Sequence, residues 1–386
     1  MIQPLTLNTP NTIEFGIGKI ATLKDHLKLS RRIFFLVDGP IRDTVEPVLL
    51  KIESEGAAVQ VSTEVVPEPP IESLENLLAP VKAFDPDTVV GIGGGSTMDL
   101  AKLVSVLFTG EQTTAEIIGI GNVKQRPVKL ITAPTTSGTG SEVTPIAVLT
   151  DTAAQLKKGV VSPHLVPDVA IVDPELTMGM PPALTAATGM DAMTHCIEAY
   201  TNRYAHPVVD MIALEGIRLM AAHLERAVTD GTDAEARTAM ALGSLYGGMC
   251  LGPVNTAAVH ALAYPLGGTF KIPHGVSNSV LLPFVMHFNL PSCTARYAEV
   301  GRAMGLKNGG ELNESLAKRC IGKIYNLSEC CGIPGSLQDL KVPESAIPSM
   351  AESAMAVQRL LGNNPREVRT EDAVAIYTAA FHGSIG

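Results

Sequence analysis

The sequence predicts a doubly wound α/β domain followed by an all-α domain. Three observations carry this prediction: short β-branched runs alternate with amphipathic stretches in the first half, a glycine-rich turn joins one such run to a helical stretch, and the strand signal fades after Pro181-Pro182. In chain order, Arg32–Val37, Ala58–Ser62, Thr88–Ile92 and Lys129–Ala133 read as buried strands, with helical periodicity over Ile71–Phe84 and Asp99–Phe108. Such alternation gives a mostly parallel sheet that takes its ligands at the carboxyl ends of its strands. Beyond the double proline, Leu184–Tyr200, Val208–Leu224, Ala234–Cys250, Ser315–Cys331, Ser345–Leu361 and Thr370–His382 all read as helices rich in Ala, Met and Leu.

A chain of 386 residues exceeds what one core ordinarily serves, so the division expected is a nucleotide-binding α/β domain over 1–180 and a helical domain over 181–386. A cleft between domains is the default ligand site. The net charge of −10, with no basic stripe, argues against nucleic acid or an anionic membrane as partner and for small molecules. Met1-Ile2-Gln3-Pro4-Leu5 has neither the charged region nor the apolar run of a signal peptide, and no uninterrupted apolar stretch reaches 18 residues. A soluble, cytoplasmic protein is the expectation. Its six cysteines lack C-x-x-C spacing and read as reduced, packed thiols.

Gly91-Ile92-Gly93-Gly94-Gly95-Ser96-Thr97-Met98-Asp99 follows a strand and opens a helix. Glycines allow close approach of backbone to phosphate, and the amides of a helix start supply donors. Ser96 stands where a dinucleotide fingerprint has its third glycine, and no acid follows at the usual distance; a tight turn is the plain alternative. Asp38, at the end of an earlier strand in Leu36-Val37-Asp38-Gly39-Pro40, supplies such an acid: it can accept from ribose hydroxyls and repel a 2′-phosphate, or be a simple turn aspartate. The loop from Ala133 to Thr144 concentrates hydroxyls and glycines after another strand, a density that favours ligand contact.

In the second half, Asp191 and His195 stand four residues apart and so share one helix face. With His260 and His274 they make a four-ligand oxygen and nitrogen set suited to Zn or Fe(II), although a D-x-x-x-H pair also arises by chance on many helices.

G-G-G-S-x-x-D at Gly93–Asp99, P-T-T-x-G-T-x-S-E-V-T at Pro134–Thr144, G-M-D-A-x-x-H-x-I-E at Gly189–Glu198, and H-A-x-x-x-P-L-G followed by P-H-G at His260–Gly275 occur in this order. Together they resemble the iron-containing (group III) alcohol dehydrogenases over nearly the whole chain. The resemblance implies a Rossmann-like domain followed by a helical metal domain, the fold shared with dehydroquinate synthase. It implies Asp191, His195, His260 and His274 as ligands of Fe2+, with Zn2+ as the alternative. It also implies nucleotide contacts at Asp38, Gly94, Gly95, Ser96, Asp99, Thr135, Thr136, Thr139 and Lys157, although Lys158 beside the last leaves its register open. The expected reaction is hydride transfer between NAD(H) and a small alcohol or its aldehyde or ketone, by a homodimer or higher homo-oligomer. One departure concerns the proton route. Many members carry a further histidine one turn beyond His260; here that position is Tyr264, a poorer proton acceptor at neutral pH. A dehydroquinate synthase-like lyase and a hydroxyacid–oxoacid transhydrogenase are the alternatives.

Overall fold

The computed structural model describes every residue except Met1, Ala154, Gln155, Asn308, Glu311, Ile385 and Gly386. The chain forms two compact units. One runs from Leu7 to Met178; the other begins at Gly179 and includes the first residues up to Thr6.

In the first unit, six parallel strands form the main sheet: β1 (Thr12–Phe15), β2 (Arg32–Val37), β3 (Ala58–Ser62), β4 (Thr88–Gly93), β6 (Lys129–Pro134) and β9 (Val169–Val172). Their order is β1-β9-β6-β4-β2-β3. The continuous apolar runs are explained by burial on both faces. Phe34 and Leu36 of β2 join Val89 and Leu130 in one core, while Ile33, Phe35 and Val37 join Val90, Ile92 and Ile131 in the other. Successive side chains thus alternate across the sheet. The Arg42–Ser54 helix after β2 buries Val45, Leu49 and Ile52 in the second core, whereas the Gly95–Leu107 helix after β4 buries Leu100, Leu103 and Val104 in the first. Adjacent strands whose following helices leave to opposite faces open a crevice at their carboxyl ends. Asp38 and the glycine turn lie there.

Two features depart from the sequence reading. The helix after β4 starts at Gly95 rather than Asp99, because an extended Gly94 already serves as its N-cap. A separate sheet of β5 (Gly119–Ile120), β7 (Ile146–Asp151) and β8 (Leu156–Val161) follows the order β5-β8-β7, with β7 antiparallel to β8. The two-residue β5 and the lysine-bearing β8 offer no apolar run, whereas the Ile146–Leu149 run of β7 was passed over.

The second unit is helical. The Pro182–Thr201, Pro207–Thr229, Ala234–Leu251 and Asn313–Cys330 helices match the expected stretches to within a few residues, and Thr370–His382 coincides. Two helices were not anticipated, Ala258–Phe270 and His274–Ala303. They carry Pro265, Pro283 and Pro291 inside them, and Pro265 does not end its helix, which continues to a left-handed Lys271. The expected Ser345–Leu361 helix is broken into Ile347–Met355 and Gln358–Leu361.

Candidate functional site

Both ligands of the predicted pair lie mid-way along the Pro182–Thr201 helix, and both are buried. His260 stands at the third position of the Ala258–Phe270 helix, and His274 opens the His274–Ala303 helix behind an extended Pro273. Close packing brings these three helices together. A Cβ on Gly275 would stand 2.2 Å from the Ala187 carbonyl oxygen, so only glycine lets the start of that helix approach the turn that precedes Asp191.

The Asp191 Oδ1 lies 3.8 Å from His195 Nε2, 3.5 Å from His260 Nε2 and 3.7 Å from His274 Nε2. The rings of His195 and His260 stack at 4.8 Å, and His274 meets His260 nearly edge-on at 5.3 Å. A tetrahedral ion with ligands at about 2.1 Å separates them by roughly 3.4 Å; Asp191, His195 and His260 lie within 4.8 Å of one another as one candidate cluster, and His274 reaches it through Asp191 Oδ1. Among the described residues the buried His195 Nδ1 has no hydrogen-bond partner, so the ring is oriented by its stacking on His260 and by Asp191 at Nε2.

Electrostatics agree with this donor set. Burial opposes charge on Asp191, yet the surrounding histidines hold its carboxyl well below the usual range. Burial pushes His195 down to about 4, which keeps the ring neutral and its lone pair available. His260 is also penalised by burial, but the Glu198 and Asp191 carboxylates together outweigh this and raise the ring to about 9.

Sequence reasoning gave Glu198 no role, although it stands three residues after His195 on the same helix face. One carboxylate oxygen accepts from the Val259 amide and the other from His260 Nδ1, each at 2.6 Å. The Ala258–Phe270 helix has no side-chain cap of its own at Ala257, so Glu198 caps it from outside while turning His260 Nε2 toward Asp191. Asn278 was also missed. It lies four residues beyond His274, its amide nitrogen 2.7 Å from Asp191 Oδ1.

Tyr264 sits with its ring 6.4 Å from that of His274. Burial raises its phenol above the ordinary value, opposed by the Arg359 guanidinium beside the hydroxyl.

In the strand-rich unit the nucleotide candidates gather around the glycine turn. Asp38 Oδ2 accepts from the Gly94 amide at 2.7 Å, and Oδ1 accepts from the Thr97 hydroxyl, so the acid binds the turn as well as facing the crevice. Thr135 donates its amide to the Gly93 carbonyl at 3.0 Å, Thr136 flanks Gly94, and a Cβ on Gly95 would stand 2.6 Å from the Thr139 methyl. Ser96 accepts from the Glu68 amide at 3.1 Å, and the Glu68 carboxylate pairs with Lys157 at 2.9 Å. Lys157 thus reaches the turn through Glu68, while Lys158 faces Asp151.

Asp99 is placed differently from the other nucleotide candidates. Its carboxylate turns inward and accepts from the Ser141 hydroxyl at 2.6 Å and the Val148 amide at 2.9 Å. One turn on, the fully buried Lys102 donates to Ser141 Oγ, the Thr144 carbonyl and the Ile146 carbonyl at 2.8, 3.0 and 2.9 Å. Burial lowers its pKa to about 8. Asp99 and Lys102 therefore tie the helix after the glycine turn to the threonine-rich loop. Nothing in their spacing separates them from an exposed helical pair.

One unit carries a crevice at a strand switch point and the other a carboxylate–histidine cluster, an arrangement suited to a metal-dependent, nucleotide-linked dehydrogenase. Residues 10–174 match the family described as iron-containing alcohol dehydrogenase, and residues 185–381 match its C-terminal part. The chain is 44% identical to the long-chain-alcohol dehydrogenase 1 of Geobacillus thermodenitrificans strain NG80-2, over 88% of this chain and 87% of that protein. It is 36% identical to the 1,3-propanediol dehydrogenase of Klebsiella pneumoniae, over 96% and 97% of the two chains. A solved 1,3-propanediol oxidoreductase superposes with a TM-score of 0.94 at 36% identity, covering 98% of this chain and all of the other. The protein belongs to the iron-containing alcohol dehydrogenase family. It is an NAD-linked oxidoreductase of alcohols and aldehydes, and membership implies a metal ion beside NAD. Among the described residues, no helix is long and apolar enough to cross a membrane.

Proposed function

We propose that the protein interconverts a small alcohol with its aldehyde or ketone, using NAD(H) and an Fe2+ ion held by Asp191, His195, His260 and His274. The observation that carries this reading is the spacing of 3.5–3.8 Å from Asp191 Oδ1 to three imidazole nitrogens drawn from three helices. When bound, the ion supplies Lewis-acid polarisation of the substrate oxygen, and the nicotinamide accepts or returns the hydride.

The chain's own part is placement. Glu198 takes the Nδ1–H of His260, so that Nε2 would present its lone pair once the ring gives up its second proton to an incoming cation. The start of the Gly95–Leu107 helix offers its amides to phosphate, with Gly94, Gly95 and Ser96 at closest approach and Thr135, Thr136 and Thr139 along the facing loop. Asp38 anchors the turn and takes the ribose side, disfavouring a 2′-phosphate. Lys157 is assigned to the nucleotide through Glu68, and Asp99 to support of the loop rather than to direct contact. Tyr264, with a raised phenol pKa, keeps its proton at neutral pH and donates a hydrogen bond to substrate or water rather than accepting a proton.

The cysteines paired with none of the described residues, five of the six buried, fit a reducing cytoplasm. Exposed Tyr204, Val208 and Met211 at the start of one helix support self-association into a homo-oligomer.

Metal analysis of anaerobically purified protein, followed by chelation, reloading with Fe2+ or Zn2+ and an NAD(H)-linked screen of small alcohols and aldehydes, tests the proposal. Full turnover by metal-free protein would overturn it.

A further inference from the structure

Three of the four candidate ligands converge on one neighbour. Asn278 is fully buried, with Nδ2 at 2.7 Å from Asp191 Oδ1, 3.1 Å from His260 Nε2 and 3.1 Å from His274 Nε2. The direction of the amide is set by Asp191, because an ionised carboxylate only accepts. His260 gives Nδ1–H to Glu198, so in the neutral ring that a cation requires the Nε2 lone pair faces the same amide. The other end of the amide is left unserved: Asn278 Oδ1 is buried without a hydrogen-bond partner. Buried polar atoms ordinarily find partners, so a side chain whose carbonyl has none among the described residues while its two N–H groups turn to Asp191 and to the edges of His260 and His274 is committed to that cluster.

We propose that Asn278 is a positioning residue that latches the ligand cluster, donating to the same lone pairs that a cation takes, so that metal loading requires the amide to let go. The inference rests on the metal reading above and deepens it. Latch and cation compete for Asp191, His260 and His274. The latch therefore stabilises the metal-free cluster at ligating spacing and weakens cation binding by the worth of its own hydrogen bonds.

Full-length wild type, Asn278→Ala and Asn278→Asp are compared by chelator competition for Zn2+ and, anaerobically, for Fe2+, and by thermal melting with and without metal. Asn278→Ala should bind either cation on the order of tenfold more tightly, the value of a hydrogen bond to a charged acceptor. Its metal-free melting temperature should fall while the loaded one stays near wild type, so the metal-induced shift grows. Asn278→Asp sets a second carboxylate against Asp191 and should enlarge that shift further, a readout that remains if the alanine variant folds poorly. Equal or weaker cation binding by Asn278→Ala, with wild type binding normally, overturns the latch alone. Absence of binding by wild type overturns the metal reading together with it.

Discussion

Glu198→Gln tests how the metal cluster is built, because it changes charge and donor pattern while preserving shape. In the native protein both carboxylate oxygens accept at 2.6 Å, one from the Val259 amide and one from His260 Nδ1, in a pocket that leaves Glu198 4% exposed. A glutamine can accept from only one of these groups; the other then faces an NH2 donor. If the amide oxygen serves the helix start, His260 moves its proton to Nε2 and loses the lone pair aimed at the cluster. Loss of such an orienting partner weakens metal binding about 10–100-fold, or roughly 1.4–2.7 kcal/mol. Folding loses a further 1–3 kcal/mol or so from the unserved buried group. Chelator competition measures the first and thermal or urea unfolding of metal-free protein the second. Lowered stability with unchanged metal affinity would refute the orienting role and leave Glu198 as a helix cap only.

Other consequences follow from the same geometry. Asp38→Gly should raise the NADP/NAD ratio of kcat/KM by removing a repulsive charge, at a cost in stability from the two turn contacts; an unchanged ratio removes Asp38 from the ribose side. Lys102→Met should destabilise the protein by about 2–4 kcal/mol in urea unfolding and weaken NADH binding, since Ser141, Thr144 and Ile146 lose a shared donor; a change below about 0.5 kcal/mol would deny the tether. Burial raises the Glu142 carboxyl to about 7, so between its ordinary 4.5 and that value the unfolded chain sheds a proton that the folded one keeps. Stability is therefore lost as pH rises through this window, and Glu142→Gln should gain on wild type by about 1–3 kcal/mol between pH 4.5 and 7.5, with a pH-independent difference as the contrary result. Tyr264→Phe should lower turnover less than tenfold without shifting the pH profile, because its hydroxyl is engaged with Arg359; a loss of 10²-fold or more would make it an acid–base group.

Strands buried on both faces announced themselves as apolar runs, which is why β2, β4 and β6 were legible almost to the residue. The Ala258–Phe270 and His274–Ala303 helices were not, because proline is a local stop signal and tertiary packing overrode it. At the site, helical spacing paired Asp191 with His195, ligand chemistry made His260 and His274 candidates to join them, and the motif resemblance strengthened that grouping. The supporting groups were hidden for another reason. Glu198 bonds across 61 and 62 residues and Asn278 reaches Asp191 across 87, and periodicity within one segment cannot show what a side chain meets on another helix. Asp38 and the glycine turn were each visible; their contact, 56 residues apart, comes from strand order.

The backbone contact at Gly275 bears on how this protein can be re-engineered. With the place of a side chain there only 2.2 Å from the Ala187 carbonyl oxygen, every substitution must push the helix carrying His274 away from the one carrying Asp191. A saturation library at this position should return glycine alone among active clones. Attempts to widen the range of accepted alcohols are better aimed at pocket-lining side chains, since the spacing of the cluster is written into main chain that cannot be traded for bulk.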